Sequence, residues 1–115
     1  MNIIIKKTLD ATPAFEEYVY EKMGSVEKFV KAFDDVQVGG LALRVEVARA
    51  TEHHKKGEDI FTVTASLTLP KKEIRAEGSA ADARVAIDRA RDVLREEIEK
   101  YKTKNLEHYR AEKER

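Results

Sequence analysis

The chain has 115 residues, 42% of them hydrophobic and 38% charged, a balance that supports one buried core beneath a heavily solvated exterior and excludes general disorder. Lys plus Arg and Asp plus Glu number 22 each, so the formal net charge is zero and no molecule-wide basic field draws the chain onto a polyanion; any such binding must rest on a local arrangement. Cysteine is absent, which excludes disulfides, zinc-thiolate sites and thiol catalysis.

Met1 to Lys7 is a short apolar run without the pattern of a cleaved leader, and no stretch of about 18 apolar residues occurs, so a cytosolic location is the default expectation. Three consecutive isoleucines in Asn2 to Lys7 form a β-branched run of strand length, the first predicted strand. A helix is predicted from Pro13. Thr12 suits the N-cap, Pro13 the first helical position, and Glu16 and Glu17 the positive end of the helix dipole.

Phe15, Tyr18, Val19, Met23, Val26, Phe29, Val30 and Phe33 recur at steps of three and four, which predicts one long helix with a broad apolar stripe. That spacing assigns Tyr18, Phe15, Phe29 and Phe33 to core packing rather than to stacking on bases. Gly24 lies inside this helix and either admits a close neighbour or marks a bend.

Asp34, Asp35, Gly39 and Gly40 punctuate the next connection. Leu41, Leu43, Val45 and Val47 then alternate with Ala42, Arg44, Glu46 and Ala48, the pattern of a half-buried strand. His53 to Asp59 reads as a polar loop. Beyond it Phe61, Val63, Ala65, Leu67 and Leu69 alternate with mostly Thr and Ser, a second long strand antiparallel to the one before. Pro70, Lys71 and Lys72 mark a turn into a short strand in which Ile74, Ala76 and Gly78 alternate with Glu73, Arg75 and Glu77.

Ser79 to Arg115 contains no Gly or Pro, and 19 of its 37 residues are charged, so it reads as one long amphipathic terminal helix. Its apolar face is Ala83, Ala86, Ile87, Ala90, Val93, Leu94, Ile98 and Tyr101. Arg84, Arg91, Arg95 and Lys102 follow steps of seven, four and seven and share one flank. The predicted fold class is α+β in the order β-α-β-β-β-α, a four-stranded sheet with two helices packed on one face. Residues 1–102 form the expected single domain, with 103–115 as a charged helical extension or tail.

Several segments together resemble the short ribosome hibernation-promoting factors, also described as ribosome-associated inhibitors or small-subunit interface proteins. They are Leu9 to Val19 continuing through Lys22, Met23, Val26, Glu27, Lys28 and Phe29; Arg44 to Val47 with Thr51, His53, His54, Lys55, Lys56, Gly57 and Phe61; and Leu69-Pro70, Ile74 to Glu77, Asp82 to Asp88 and Lys100 to Lys102. The resemblance implies the same fold and a basic binding face on the two helices. It further implies occupation of the small-subunit channel where messenger and transfer RNA bind, a steric block to translation and stabilised idle ribosomes.

On that resemblance Lys22, Lys28, Lys100 and Lys102 occupy positions commonly basic in the family. Arg84 stands where an aromatic residue is frequent, and Val93, Glu96 and Glu99 stand where Lys or Arg is frequent, so Arg91 and Arg95 are read as compensating from a neighbouring face. The candidate RNA-contacting set is Lys22, Lys28, Lys55, Lys56, Arg84, Arg91, Arg95, Lys100 and Lys102. The expected partners are small-subunit ribosomal RNA and adjoining ribosomal proteins, with no cofactor, membrane or small-molecule substrate. The long form of the family carries a further domain that pairs ribosomes; from a length of 115 residues, pairing through such a domain is not expected of this chain.

Two other readings stay open on the residues alone. A protein-interaction module would use the terminal helix, for which zero net charge is the supporting feature. A small metal-binding enzyme would use His53 and His54 beside Glu52 and Asp59, but adjacent strand histidines point to opposite faces and no third ligand stands at suitable spacing. No glycine-rich phosphate loop, nucleophile elbow or His-Glu metal helix is present, so an enzyme is not expected.

Overall fold

The computed structural model describes the backbone of residues 2–7, 13–34, 41–51, 59–69 and 72–113, and their side chains except those of 7, 32–34, 50–51, 59 and 105–113. The elements are β1 (Asn2–Lys7), α1 (Pro13–Gly24), α2 (Glu27–Asp34), β2 (Ala42–Thr51), β3 (Asp59–Leu69), β4 (Lys72–Ala80) and α3 (Ala83–Lys113). The strands form one sheet in the order β1-β2-β3-β4. β1 runs parallel to β2, and the α1–α2 segment supplies the crossover that a parallel pair requires; β2, β3 and β4 pair antiparallel.

Register explains why this sheet has one apolar side. Ile3 pairs with Leu43 and Leu43 with Leu67, which in turn faces Ile74; Ile5, Val45, Ala65 and Ala76 form the next row. Because side chains alternate along a strand, these rows fall on one face, and every member from β2, β3 and β4 is buried. The opposite rows, including Arg44, Ser66 and Arg75, carry the polar residues. α3 lies over β4 and β3, with α1 and α2 against its side. The core therefore fills the space between the inner sheet face and the helices, joining Val19, Met23, Val26 and Val30 to Ile87, Leu94 and Ile98.

The first helical segment is broken, not continuous. α1 ends at Gly24, and Ser25 and Val26 form a turn before α2. Backbone bonds Ser25 N to Glu21 O (3.2 Å), Val26 N to Met23 O (3.2 Å) and Phe29 N to Val26 O (2.9 Å) carry the chain through the bend. The Ser25 hydroxyl donates to Lys22 O at 2.6 Å, satisfying one of the carbonyls that a helix end exposes. A Cβ on Gly24 would meet nothing closer than Ile3 Cδ1 at 4.0 Å, so Gly24, the last residue of α1, does not make room for a neighbour and stands at the bend.

Close approach is the role of Gly78 instead. A Cβ built there would overlap Ala90 N and lie 2.5 Å from Ala86 O and 2.9 Å from Arg89 Cβ, so α3 rests directly on this point of β4. Arg89 fastens the same junction by donating from Nη1 to Ser79 O at 2.6 Å.

Ser79 and Ala80 belong to β4, which moves the start of the terminal helix to Ala83. Asp82 caps it: its carboxylate accepts from Arg84 N at 2.8 Å and its carbonyl from Ala86 N at 3.0 Å. Val93, assigned to the apolar face, is 37% exposed. It sits about 100° from the buried Leu94, beyond the edge of the stripe. The remaining apolar residues from Ala86 to Tyr101 named for that face are buried.

Candidate nucleic-acid interface

The helices meet along a seam. Tyr18 of α1 donates its hydroxyl proton to Asp88 Oδ1 of α3 at 2.8 Å. The Tyr18 ring also receives Lys22 Nζ at 5.5 Å and Arg84 Cζ at 5.3 Å from its centroid. Further along, the Phe29 ring receives Lys28 Nζ at 5.2 Å and Arg95 Cζ at 4.9 Å. A cation over a ring face is attracted by the ring quadrupole, by about 0.5–1 kcal/mol where exposed. Four of the candidate cations, drawn from three helices, are thus anchored along one line.

Tyr18 and Phe29 pack against the core as their helical spacing predicts, but from its edge. Phe15 joins them there, and all three are half-buried. The helical stripe is broader than the surface the sheet can cover, so its margin is left to the cations. Such placement lets an aromatic ring contribute to packing on one side and seat charge on the other.

Arg91 and Lys102 project from the same flank of α3 as Arg84 and Arg95, as steps of seven and four require. Arg91 is 29% exposed and contacts Asp92 Oδ1 through Nη2 at 3.0 Å and Nε at 3.2 Å, which offsets its charge locally. Lys100 stands apart. Five residues beyond Arg95 is about 140° around the helix, and Lys100 pairs with Glu97 at 3.4 Å. Lys55, Lys56, His53 and His54 lie outside the described residues.

Tyr18 has its phenol pushed above the ordinary value, first by burial and then by the hydrogen bond and negative charge of Asp88, while Arg84 and Arg91 pull the other way. The neutral hydroxyl is therefore favoured at the junction. Among the described residues no three His, Cys, Asp or Glu side chains are grouped to hold a metal ion, and no helix is long and apolar enough to cross a membrane. Sequence reading missed the Tyr18–Asp88 bond and the two ring contacts with α3, because neither helix alone encodes which residue of the other faces it.

The chain is 31% identical over 100 residues to a protein described as ribosome hibernation promotion factor from Deinococcus radiodurans, a match that covers 87% of this chain and 48% of that one. It therefore spans about half the length of that relative. In three dimensions it superimposes on the N-terminal domain of Protein Y from Thermus thermophilus with a TM-score of 0.64 and 27% identity, covering 88% of this chain and 99% of that one. A ribosomal subunit interface protein from Coxiella burnetii shares the fold, with a TM-score of 0.70 at 19% identity over 90% of this chain and all of that one. Residues 3–106 match the family described as Sigma 54 modulation protein / S30EA ribosomal protein, and with the fold and helix arrangement above, the chain belongs to that family.

Proposed function

We propose that this protein binds the small ribosomal subunit in the channel used by messenger and transfer RNA, and that it silences and stabilises idle ribosomes by occupying that space. The action is steric and non-enzymatic, and it places the protein in the cytoplasm. The observation that carries the reading is the cationic seam: Lys22 and Arg84 over Tyr18, and Lys28 and Arg95 over Phe29, in a chain of this family. A neutral molecule meets a polyanion only where positive side chains are gathered, and the seam gathers them from three helices.

Ribosomal RNA phosphates are the matching partner, since Lys and Arg displace the counterions condensed on them. If Lys22, Lys28, Arg84, Arg91, Arg95 and Lys102 each engage one phosphate, affinity falls by roughly a thousandfold between about 0.05 and 0.2 M salt. Sedimentation with purified small subunits at the two salt concentrations tests this. Co-migration at low salt and release at high salt are expected, and failure to co-migrate at low salt rejects the proposal.

A further inference from the structure

The cations over Tyr18 and Phe29 form two stations of the same make. In each, α3 supplies an arginine while the α1–α2 layer supplies the ring and a lysine. Tyr18 and Phe29 are eleven positions apart, and so are Arg84 and Arg95. Along the unbroken α3 this interval is about 16 Å with a rotational offset of about 20°, so both arginines leave the same flank.

We propose that the two stations grip one RNA strand whose bases are unpaired, an exposed base stacking on the outward face of each guanidinium while the adjacent lysine contacts a neighbouring phosphate. This rests on the seam being the RNA-binding surface and specifies the form of RNA it takes. Arg84 and Arg95 are exposed whereas the rings beneath them are half-buried, so the rings act as platforms and the guanidinium groups as the contact layer. A planar guanidinium stacks on a base, which a compact ammonium cannot do. In an A-form duplex the base faces are already stacked inside, so only an unpaired strand can offer them.

The charge pattern between the stations points the same way. Asp88 and Asp92 lie on α3 between Arg84 and Arg95, the first bound by Tyr18 and the second by Arg91. Arg91 shares that flank, but its charge is offset by Asp92 while Asp88 stands beside it, so the positive flank is interrupted midway. The regular phosphate ladder of a duplex laid along the seam meets these carboxylates, whereas a single strand, with its rotatable backbone, bows over them between two fixed points. The zero net charge also removes the long-range attraction that would favour the denser polyanion.

Fluorescence anisotropy of the full chain with an unstructured RNA of about 12 nucleotides and an RNA duplex of equal length, at about 0.05 M salt, tests the proposal. The single strand is expected to bind at least about fivefold more tightly, and Arg84→Lys and Arg95→Lys, which keep the charge and remove the planar face, each weaken it by about tenfold with little change for the duplex. Equal or tighter duplex binding, or Lys variants that bind the single strand like the unaltered chain, overturns it. Should a Lys variant melt early, the comparison of strand and duplex on the unaltered chain decides. Co-sedimentation with small subunits combined with no single-strand preference rejects this inference and leaves the ribosome reading standing; binding to neither rejects both.

Discussion

Tyr18 and Asp88, 70 positions apart in the chain, are joined by a 2.8 Å hydrogen bond that ties α1 to α3, and the same tyrosine ring seats Lys22 and Arg84. One residue thus fixes the helix arrangement and two of the seam's cations. Tyr18→Phe keeps the ring and deletes the donor, leaving a half-buried carboxylate without its phenol. We expect a loss of about 1–2 kcal/mol, read from the urea midpoint. An unchanged midpoint means that the bond contributes nothing to the fold.

High pH acts on the same junction. Burial, followed by the bond and charge of Asp88, raises the Tyr18 phenol, and burial raises Tyr101. A folded-state value above the unfolded value of about 10 means that the native state holds its proton longer. Stability from these groups is complete below about pH 10 and is lost as pH climbs through the folded values. Thermal melts from about pH 8 to 11 should show this decline, and Tyr18→Phe and Tyr101→Phe should each flatten it.

Gly78 sets the distance between sheet and helix. Its missing Cβ leaves room for backbone atoms of Ala86 and Ala90, which cannot rotate aside as a side chain would. Gly78→Ala should therefore push α3 off β4 and destabilise by about 2–3 kcal/mol in urea denaturation. Gly24→Ala, next to a 4.0 Å contact only, should cost far less, and equal effects at the two sites contradict the assignment.

Charge reversal separates the seam from the outer surface of α3. Lys28→Glu and Arg95→Glu should weaken binding to small subunits and lower the salt slope by more than the roughly 0.7–0.9 of one lost contact, since each replaces attraction with repulsion. Lys100→Glu should change little, because Lys100 already faces Glu97 away from that flank. Similar losses at all three positions would place the RNA elsewhere.

The sheet was legible because burial of one face imposes a period of two: Leu43, Val45 and Val47 announce their side before any partner is known. The helix flank of Arg84, Arg91, Arg95 and Lys102 was legible for the same kind of reason. Lys100 was grouped with them through family resemblance, although helical geometry alone turns it away. The break after Gly24 was one of two roles the residue permitted, and only the 4.0 Å clearance chooses between them. Counting Ser79 and Ala80 into the helix overlooked Asp82, whose capping chemistry marks the true start.

Contacts between elements distant in the chain were out of reach. Tyr18 with Asp88, Phe29 with Arg95, and Gly78 under Ala90 each depend on which faces tertiary packing brings together. Local periodicity records that a face is apolar and leaves open what covers it. It likewise places Tyr18 and Phe29 on the apolar stripe without showing that they sit at its rim.

Occupation of the messenger and transfer RNA channel is tested most directly by competition on purified small subunits. Labelled protein is titrated onto subunits that are empty or preloaded with messenger and transfer RNA, at low salt. Loss of binding to the preloaded subunits is the predicted result. Equal binding to empty and filled subunits would contradict the account.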